Sequence, residues 1–363
     1  MSEPNLRIPG PTPLPKSVQN AQARDMINHR GPEFAAMQAE IVDSLKSFLL
    51  TQNDVLLLTS SGTGGLEAAV ANALSPGDSV LSVSIGYFGE RFRTIAAIYG
   101  ATIVPVDFPQ GQAANVNQVA DALRAHPEVK AVLVTHNETS TGVTNPLREL
   151  AEVVKAEGKL LVVDAISSAG CIPLETDAWG VDVLVSGSQK GWMAPPGLAF
   201  VAMSPAAWQA SETARMPRFY FDLRKAKKAQ TEGSTPWTPA ISVYYALQEG
   251  LRILQEEGLE RVLARHQRIA DKTRKGVRDM GLKLFADPRY ASNTVTSVLP
   301  PEGVNADDLR RQIKKQHNVV LAGAQGDLAG KVFRIGHLGY VSDKDISLAL
   351  AAIRAELPVA AGR

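Results

Sequence analysis

Residues 54–74 read DVLLLTSSGTGGLEAAVANAL, a strand and a helix with only a short polar turn between them. Asp54 to about Thr59 is an apolar run of strand length, the next residues are too rich in Ser, Gly and Thr to continue it, and GLEAAVANAL returns to helical composition. The apolar residues of the first run are consecutive rather than alternating, which suits a strand buried on both faces. Outward along the chain the same unit recurs. SVLSVS (79–84), TIVPVD (102–107), AVLVTH (131–136), LLVVDA (160–165), VDVLVSGS (181–188) and LAFVAM (198–203) read as further strands. Helical patterns such as ERFRTIAAIYG (90–100) and LRELAEVVKAEG (147–158) lie between them. Strands alternating with helices predict an α/β fold whose mainly parallel sheet is covered on both faces.

The flanks differ in texture. PGPTPLP (9–15) cannot be helical, because proline lacks the donor and pushes its predecessor toward extended geometry, so residues 1–20 read as an extended arm. After Met203 a basic, aromatic stretch, MPRFYFDLRKAKKA (216–229), leads into TEGSTPWTPAIS (231–242). A long helical region from about Ala240 to Gly281, interrupted at Gly258, reads as two helices joining a large domain (21–252) to a smaller one (253–363). TVTSVLP, DLRRQIKKQHNVVLAG, KVFRIGHLG and DKDISLALAAIRAEL predict a β-α-β-α order for that small domain. A length of 363 residues agrees with about two domains.

Hydrophobic residues make up 45% and charged residues 21%, a globular composition, and 38 Lys+Arg against 37 Asp+Glu leave a net charge of +1. No run of one sign offers a footprint for nucleic acid or an anionic membrane, which leaves small molecules or a second copy as partners. No stretch is apolar enough to cross a bilayer, and MSEPNLRIPGPTPLPKSVQN at the start has no signal-peptide core, so a cytoplasmic location is expected. The single cysteine, Cys171, and six histidines without ligand spacing predict no metal site.

Three places could carry chemistry. SSGTGG (60–65) opens a helix whose free N–H groups and positive dipole end suit a phosphate, or it is an ordinary strand-to-helix turn. It is no dinucleotide fingerprint, since Glu67 stands where the third glycine is needed, and no GK[ST] follows. Asp164 ends a buried strand, where ligands bind in open α/β sheets, or it caps the next helix. Lys190 sits in SGSQKGWMAPPG (186–197) between two buried strands; it is a surface charge or a desolvated, nucleophilic amine. Taken together, a phosphate cradle, an acid about 100 residues on and a lysine 26 residues after the acid are what a pyridoxal 5′-phosphate site needs. The lysine forms the Schiff base, the carboxylate keeps the pyridine nitrogen protonated, and the helix terminus takes the phosphate.

SGTGGLEAA (61–69), THNETSTGV (135–143), LLVVDAISSAG (160–170), SGSQKGWMAPPG and KVFRIGHLG (331–339) resemble, in order, the landmarks of the class V, fold-type I aminotransferases. The resemblance is strongest to the alanine–glyoxylate and serine–pyruvate (serine–glyoxylate) branch, and it covers nearly the whole chain. It implies a large domain with a mainly parallel seven-stranded sheet, a smaller C-terminal α/β domain, and a homodimer with active sites at the subunit interface. It also implies Lys190 as the Schiff-base lysine and Asp164 as the partner of the pyridinium nitrogen. Gly62, Thr63 and Gln189 match the phosphate region, and Thr139 matches a hydroxyl residue near the phenolic oxygen. Ile166 matches one ring face and Phe88 the other; the family often carries tryptophan there, so the stacked surface is smaller. Arg334 matches the arginine that binds the substrate α-carboxylate. Thr235 and Thr238, in STPWTP, resemble the segment that reaches the neighbouring subunit's phosphate.

The activity so implied is transfer of an amino group from a small amino acid, alanine or serine, to a small 2-oxo acid, glyoxylate or pyruvate. Rivals are an aminotransferase for other donors or acceptors such as phosphonates, a cysteine desulfurase-like lyase, and a non-catalytic cofactor-binding subunit. The lyase needs a mobile cysteine and a histidine before the lysine, whereas Cys171 follows a buried strand and Gln189 precedes Lys190.

Overall fold

The computed structural model describes residues 3–357. All seven runs read as strands become the seven strands of one sheet, in the order Asp54–Ser60, Gly197–Met203, Val183–Gly187, Leu160–Asp164, Ala131–Thr135, Ser79–Ser84, Thr102–Asp107. Gly197–Met203 runs antiparallel to both of its neighbours, and the other six strands share one direction. Consecutive apolar residues have the consequence expected of them. Leu57, Val83, Val134 and Val163 enter one core, while Leu56, Leu58, Leu133 and Val162 enter the other, on the opposite face. The first core is closed by helices Pro32–Leu49, Leu147–Ala156 and Ile241–Glu257, the second by Gly62–Ala73, Tyr87–Ile98 and Pro205–Thr213. Each fully buried leucine or valine contributes roughly 1.5–3 kcal/mol, so the doubly covered sheet is the rigid body of the molecule.

Because six strands point the same way, the segments after Ser60, Ser84, Thr135, Asp164 and Gly187 all emerge at one edge. Positions scattered over 130 residues of sequence therefore meet there.

A second, five-stranded sheet has the order Asn5–Arg7, Val319–Gly323, Phe333–Gly336, Val295–Leu299, Lys283–Leu284. It packs against Leu259–Arg278, Ala306–His317 and Asp343–Glu356 around Ile269, Phe333 and Ile346. After the short strand Lys283–Leu284, the order from Val295 on is β-α-β-β-α rather than the expected β-α-β-α. The Ala306–His317 helix ends at Asn318 in a left-handed conformation (φ 52°), and the next two strands pair antiparallel with only the short 3-10 turn Gly326–Leu328 between them.

The segment expected as an extended arm is extended only in part. Asn5–Arg7 adds a parallel strand to Val319–Gly323, and Lys16–Ala21 is helical; Met1 and Ser2 of that arm, and residues 358–363 of the small domain, lie outside the described residues. The strand could not be read from three residues, NLR, with no apolar pattern. Between strand and helix the chain crosses so close to the small sheet that a Cβ at Gly336 would lie 2.2 Å from the Ile8 carbonyl oxygen. Among the described residues no helix is long and apolar enough to cross a membrane.

Candidate active site

The edge where the parallel strands end holds a cavity of about 240 Å³. Gly62, Thr63, Phe88, Thr139, Asp164, Ile166, Gln189 and Lys190, eight of the residues singled out from the sequence, line it.

One end is the start of the Gly62–Ala73 helix. Ser61 precedes it in extended conformation and makes no side-chain cap, so the first N–H groups face the cavity without a side-chain partner. A Cβ at Gly62 would lie 2.5 Å from Ile166 Cδ1, so glycine is what allows Ile166 to pack against the terminus. Gln189 brings a buried Oε1 that has no hydrogen-bond partner among the described residues.

At the other end, Asp164 is 5% exposed and accepts the Ile166 N–H at 2.9 Å on Oδ1. Burial pushes its carboxyl up to about 7; the Ile166 N–H pulls the other way, and Glu138 adds to the rise. A carboxyl in that state binds a proton readily and gains from a cation placed beside it. Lys190 is the converse case. Burial, followed by the charge of Arg334, pulls its amine down to about 8, against the attraction of Asp164. Its Nζ donates to the Pro9 carbonyl at 2.7 Å. The crossing segment is bound to this loop twice more: Thr12 N–H donates to Gln189 O (3.1 Å) and Thr12 Oγ1 to Lys190 O (3.1 Å).

Thr139 Oγ1 donates to Ser167 Oγ (3.2 Å), which in turn donates to Asn137 O (2.9 Å). Arg334 stands one layer behind. Its Nη1 donates to Thr139 O at 2.9 Å, its Nε to Gly323 O at 2.8 Å and its Nη2 to the same Gly323 carbonyl, so carbonyls orient the guanidinium through all three nitrogens. Burial lowers its pKa to about 10, against the attraction of Glu138. Thr235 and Thr238 do not line this cavity: Thr235 Oγ1 donates to Trp237 O (2.7 Å), and Thr238 is exposed.

The sequence did not reveal Glu138. It is fully buried at the start of the Tyr87–Ile98 helix, where Phe88 N–H (2.9 Å) and Gly89 N–H (3.1 Å) donate to Oε2, and Ser140 N–H (3.0 Å) and Oγ (2.6 Å) donate to Oε1. A carboxylate from another segment thus caps the helix that carries Phe88, a relation no local pattern announces. Burial raises its pKa, and these hydrogen bonds oppose the rise.

A lysine amine, a buried acid and an uncapped helix terminus around one cavity, at the strand ends of an α/β sheet, define an enzyme of the fold-type I, pyridoxal-phosphate-dependent class. Comparison with known proteins agrees. The family model "Aminotransferase class-V" matches residues 16–344. The chain is 44% identical to the soluble hydrogenase small subunit of a Synechococcus strain, over 97% of this chain and 92% of that protein. It is 39% identical to the L-aspartate–glyoxylate aminotransferase of Paracoccus denitrificans, over 97% and 90%. A crystal structure of alanine–glyoxylate aminotransferase from Nostoc sp. superposes with a TM-score of 0.95 at 33% identity, covering 99% of this chain and 96% of that one. The protein belongs to the class V aminotransferases, whose cofactor is pyridoxal 5′-phosphate.

The residues present fit that cofactor. The N–H groups of the helix start, which Ser61 leaves uncapped and Gly62 leaves open, suit an anionic phosphate, and Asp164 suits a protonated ring nitrogen.

Proposed function

We propose that this aminotransferase moves an amino group from a small amino acid, alanine or serine, to a small 2-oxo acid, glyoxylate or pyruvate. The observation that carries the reading is the pairing of Lys190 and Asp164 in one small cavity, with the amine pulled down to about 8 and the carboxyl pushed up to about 7. Relatives named for glyoxylate support the acceptor.

When bound, the cofactor supplies a conjugated ring that accepts the electron pair left by the departing α-proton. The chain does the rest. Lys190 Nζ would take the proton from the substrate α-carbon and hand it to the cofactor carbon that receives the amino group, work suited to an amine with a pKa near 8. Asp164 holds the proton on the ring nitrogen. Gly62, Thr63 and Gln189 bind the phosphate, Phe88 and Ile166 enclose the ring, and Thr139 stands near the phenolic oxygen. Arg334 would present the remaining N–H hydrogens of its Nη1 and Nη2 to the α-carboxylate of donor and acceptor alike.

In this reading the protein is a cytoplasmic homodimer, and Thr235 or Thr238 reaches the neighbouring subunit's phosphate. Supporting the dimer, Phe219 (68% exposed) and Tyr220 stack with Trp237 into an aromatic patch beside both threonines. In the same reading the chain divides into an arm (1–20), a cofactor-binding domain (21–252) and a small domain (253–363); the two larger sheets support two domains, while residues 252 and 253 lie within the continuous helix Ile241–Glu257, which breaks only at Gly258.

The test is a half-reaction screen, in which the cofactor-loaded protein is mixed with one amino acid at a time and the oxo acid released per chain is measured. Alanine or serine should release about one equivalent and glyoxylate should restore the protein for another round. Release only from larger or phosphonate donors would overturn the small-substrate reading. Sedimentation of an active monomer would overturn the dimer.

A further inference from the structure

One more charged group reaches the cavity, and neither the sequence motifs nor the roles above use it. Arg91 lies one turn after Phe88 on the Tyr87–Ile98 helix and lines the same cavity as Gly62 and Thr63. Its guanidinium packs over the rings of Phe88 (4.8 Å to the centroid) and Tyr87 (5.3 Å), which fixes its direction. Nη1 donates to Thr63 Oγ1 at 3.4 Å. Among the described residues Arg91 forms no ion pair: its neighbour Glu90 pairs instead with Arg93, at 3.2 Å.

A cation held against the start of a helix meets the positive end of the dipole, and the two repel unless an anion lies between them. The anions nearby do not serve. Glu138 is already occupied by four donors at the head of the Phe88 helix, and Asp164 is turned to the Ile166 N–H. We propose that Arg91 is the counter-ion of the cofactor phosphate, binding it from the same chain that supplies Lys190, together with the helix start at Gly62 and Thr63. One helix then provides both the ring-stacking face, through Phe88, and the phosphate charge, through Arg91, and Glu138 sets the position of both. The proposal rests on the phosphate lying at the Gly62 helix start. The contact with Thr63 favours phosphate over the second carboxylate of a dicarboxylic donor.

Titration of the full-length apoprotein with pyridoxal 5′-phosphate and, separately, with pyridoxal tests this. Arg91→Gln should weaken binding of the phosphorylated form by about ten- to a hundredfold, the range for one hydrogen bond to a charged group, and leave pyridoxal binding unchanged. Arg91→Lys should recover part of the loss, and it decides the matter if the glutamine variant fails to fold. Equal losses for both ligands, unchanged binding of both, or a defect seen only as a raised KM for aspartate would overturn the proposal. If the unaltered protein showed no preference for the phosphorylated form, the placement of the phosphate itself would fall, whatever Arg91 does.

Discussion

The amine of Lys190 donates to the backbone carbonyl of Pro9 at 2.7 Å, across 181 positions of sequence. A neutral acceptor holds the amine without neutralising it, so the lysine keeps its lowered proton affinity while its position is set. The arm thereby helps define the resting site.

Replacing that amine is the most direct test of the assignment. Lys190→Ala should abolish turnover while the protein folds and retains cofactor noncovalently, because the phosphate and ring contacts survive. Borohydride reduction of the unaltered protein followed by peptide mapping should place the cofactor on Lys190; attachment to another lysine would refute the site.

The pH dependence follows from the same group. Burial first, then the charge of Arg334, moves the loss of the Lys190 proton from the usual 10.5 to about 8. The neutral amine is the nucleophile, so the rate of covalent cofactor capture should rise as pH climbs through about 8 and level off above it. Arg334→Gln removes the second of these causes and should move the midpoint upward. A profile that does not change between pH 7 and 9 would contradict the assignment of the amine.

Asp164→Asn keeps the shape of the site but cannot hold a proton on the ring nitrogen as a carboxylate does. The rate constant kcat should fall by roughly 10²–10⁴-fold, the range for losing a proton-transfer partner, with much less change in cofactor occupancy. A variant with near-normal kcat would make Asp164 only the acceptor of the Ile166 N–H.

Glu138→Ala should strip the cap from the Phe88 helix and leave the Phe88 and Gly89 N–H groups without their acceptor. Stability should fall by roughly 2–3 kcal/mol, as for lost hydrogen bonds to a buried charge, and chemical denaturation measures it directly. A loss below 1 kcal/mol would show that the helix start holds its place unaided.

What could be read in advance divides along physical lines. The seven strands were legible because a strand buried on both faces must be apolar at nearly every position, as in Leu160–Asp164. The positions of Lys190, Asp164 and Gly62 at one edge were legible because each sits at the end of such a strand or within three residues of it. Glu138 and Arg91 were not, since their roles depend on which elements meet: a buried glutamate and a helical arginine look alike in sequence whether or not a helix start lies opposite. Asn5–Arg7 escaped for a related reason. Its partner, Val319–Gly323, lies near the other end of the chain, and no local pattern encodes a pairing of that span.

That pairing also imposes an order of events on the growing chain. Asn5–Arg7 is made first, yet it has no strand to join until Val319–Gly323 has been synthesised. Contacts between such distant segments form late, because the intervening loop must first be closed. The large sheet can assemble around Lys190 well before then, leaving the amine without Pro9 and the crossing segment unanchored. Assembly of the cavity is thus tied to synthesis of Val319–Gly323: a product released before residue 319 would carry Lys190, Asp164 and the open helix start at Gly62, and still lack the anchor that draws the arm across them.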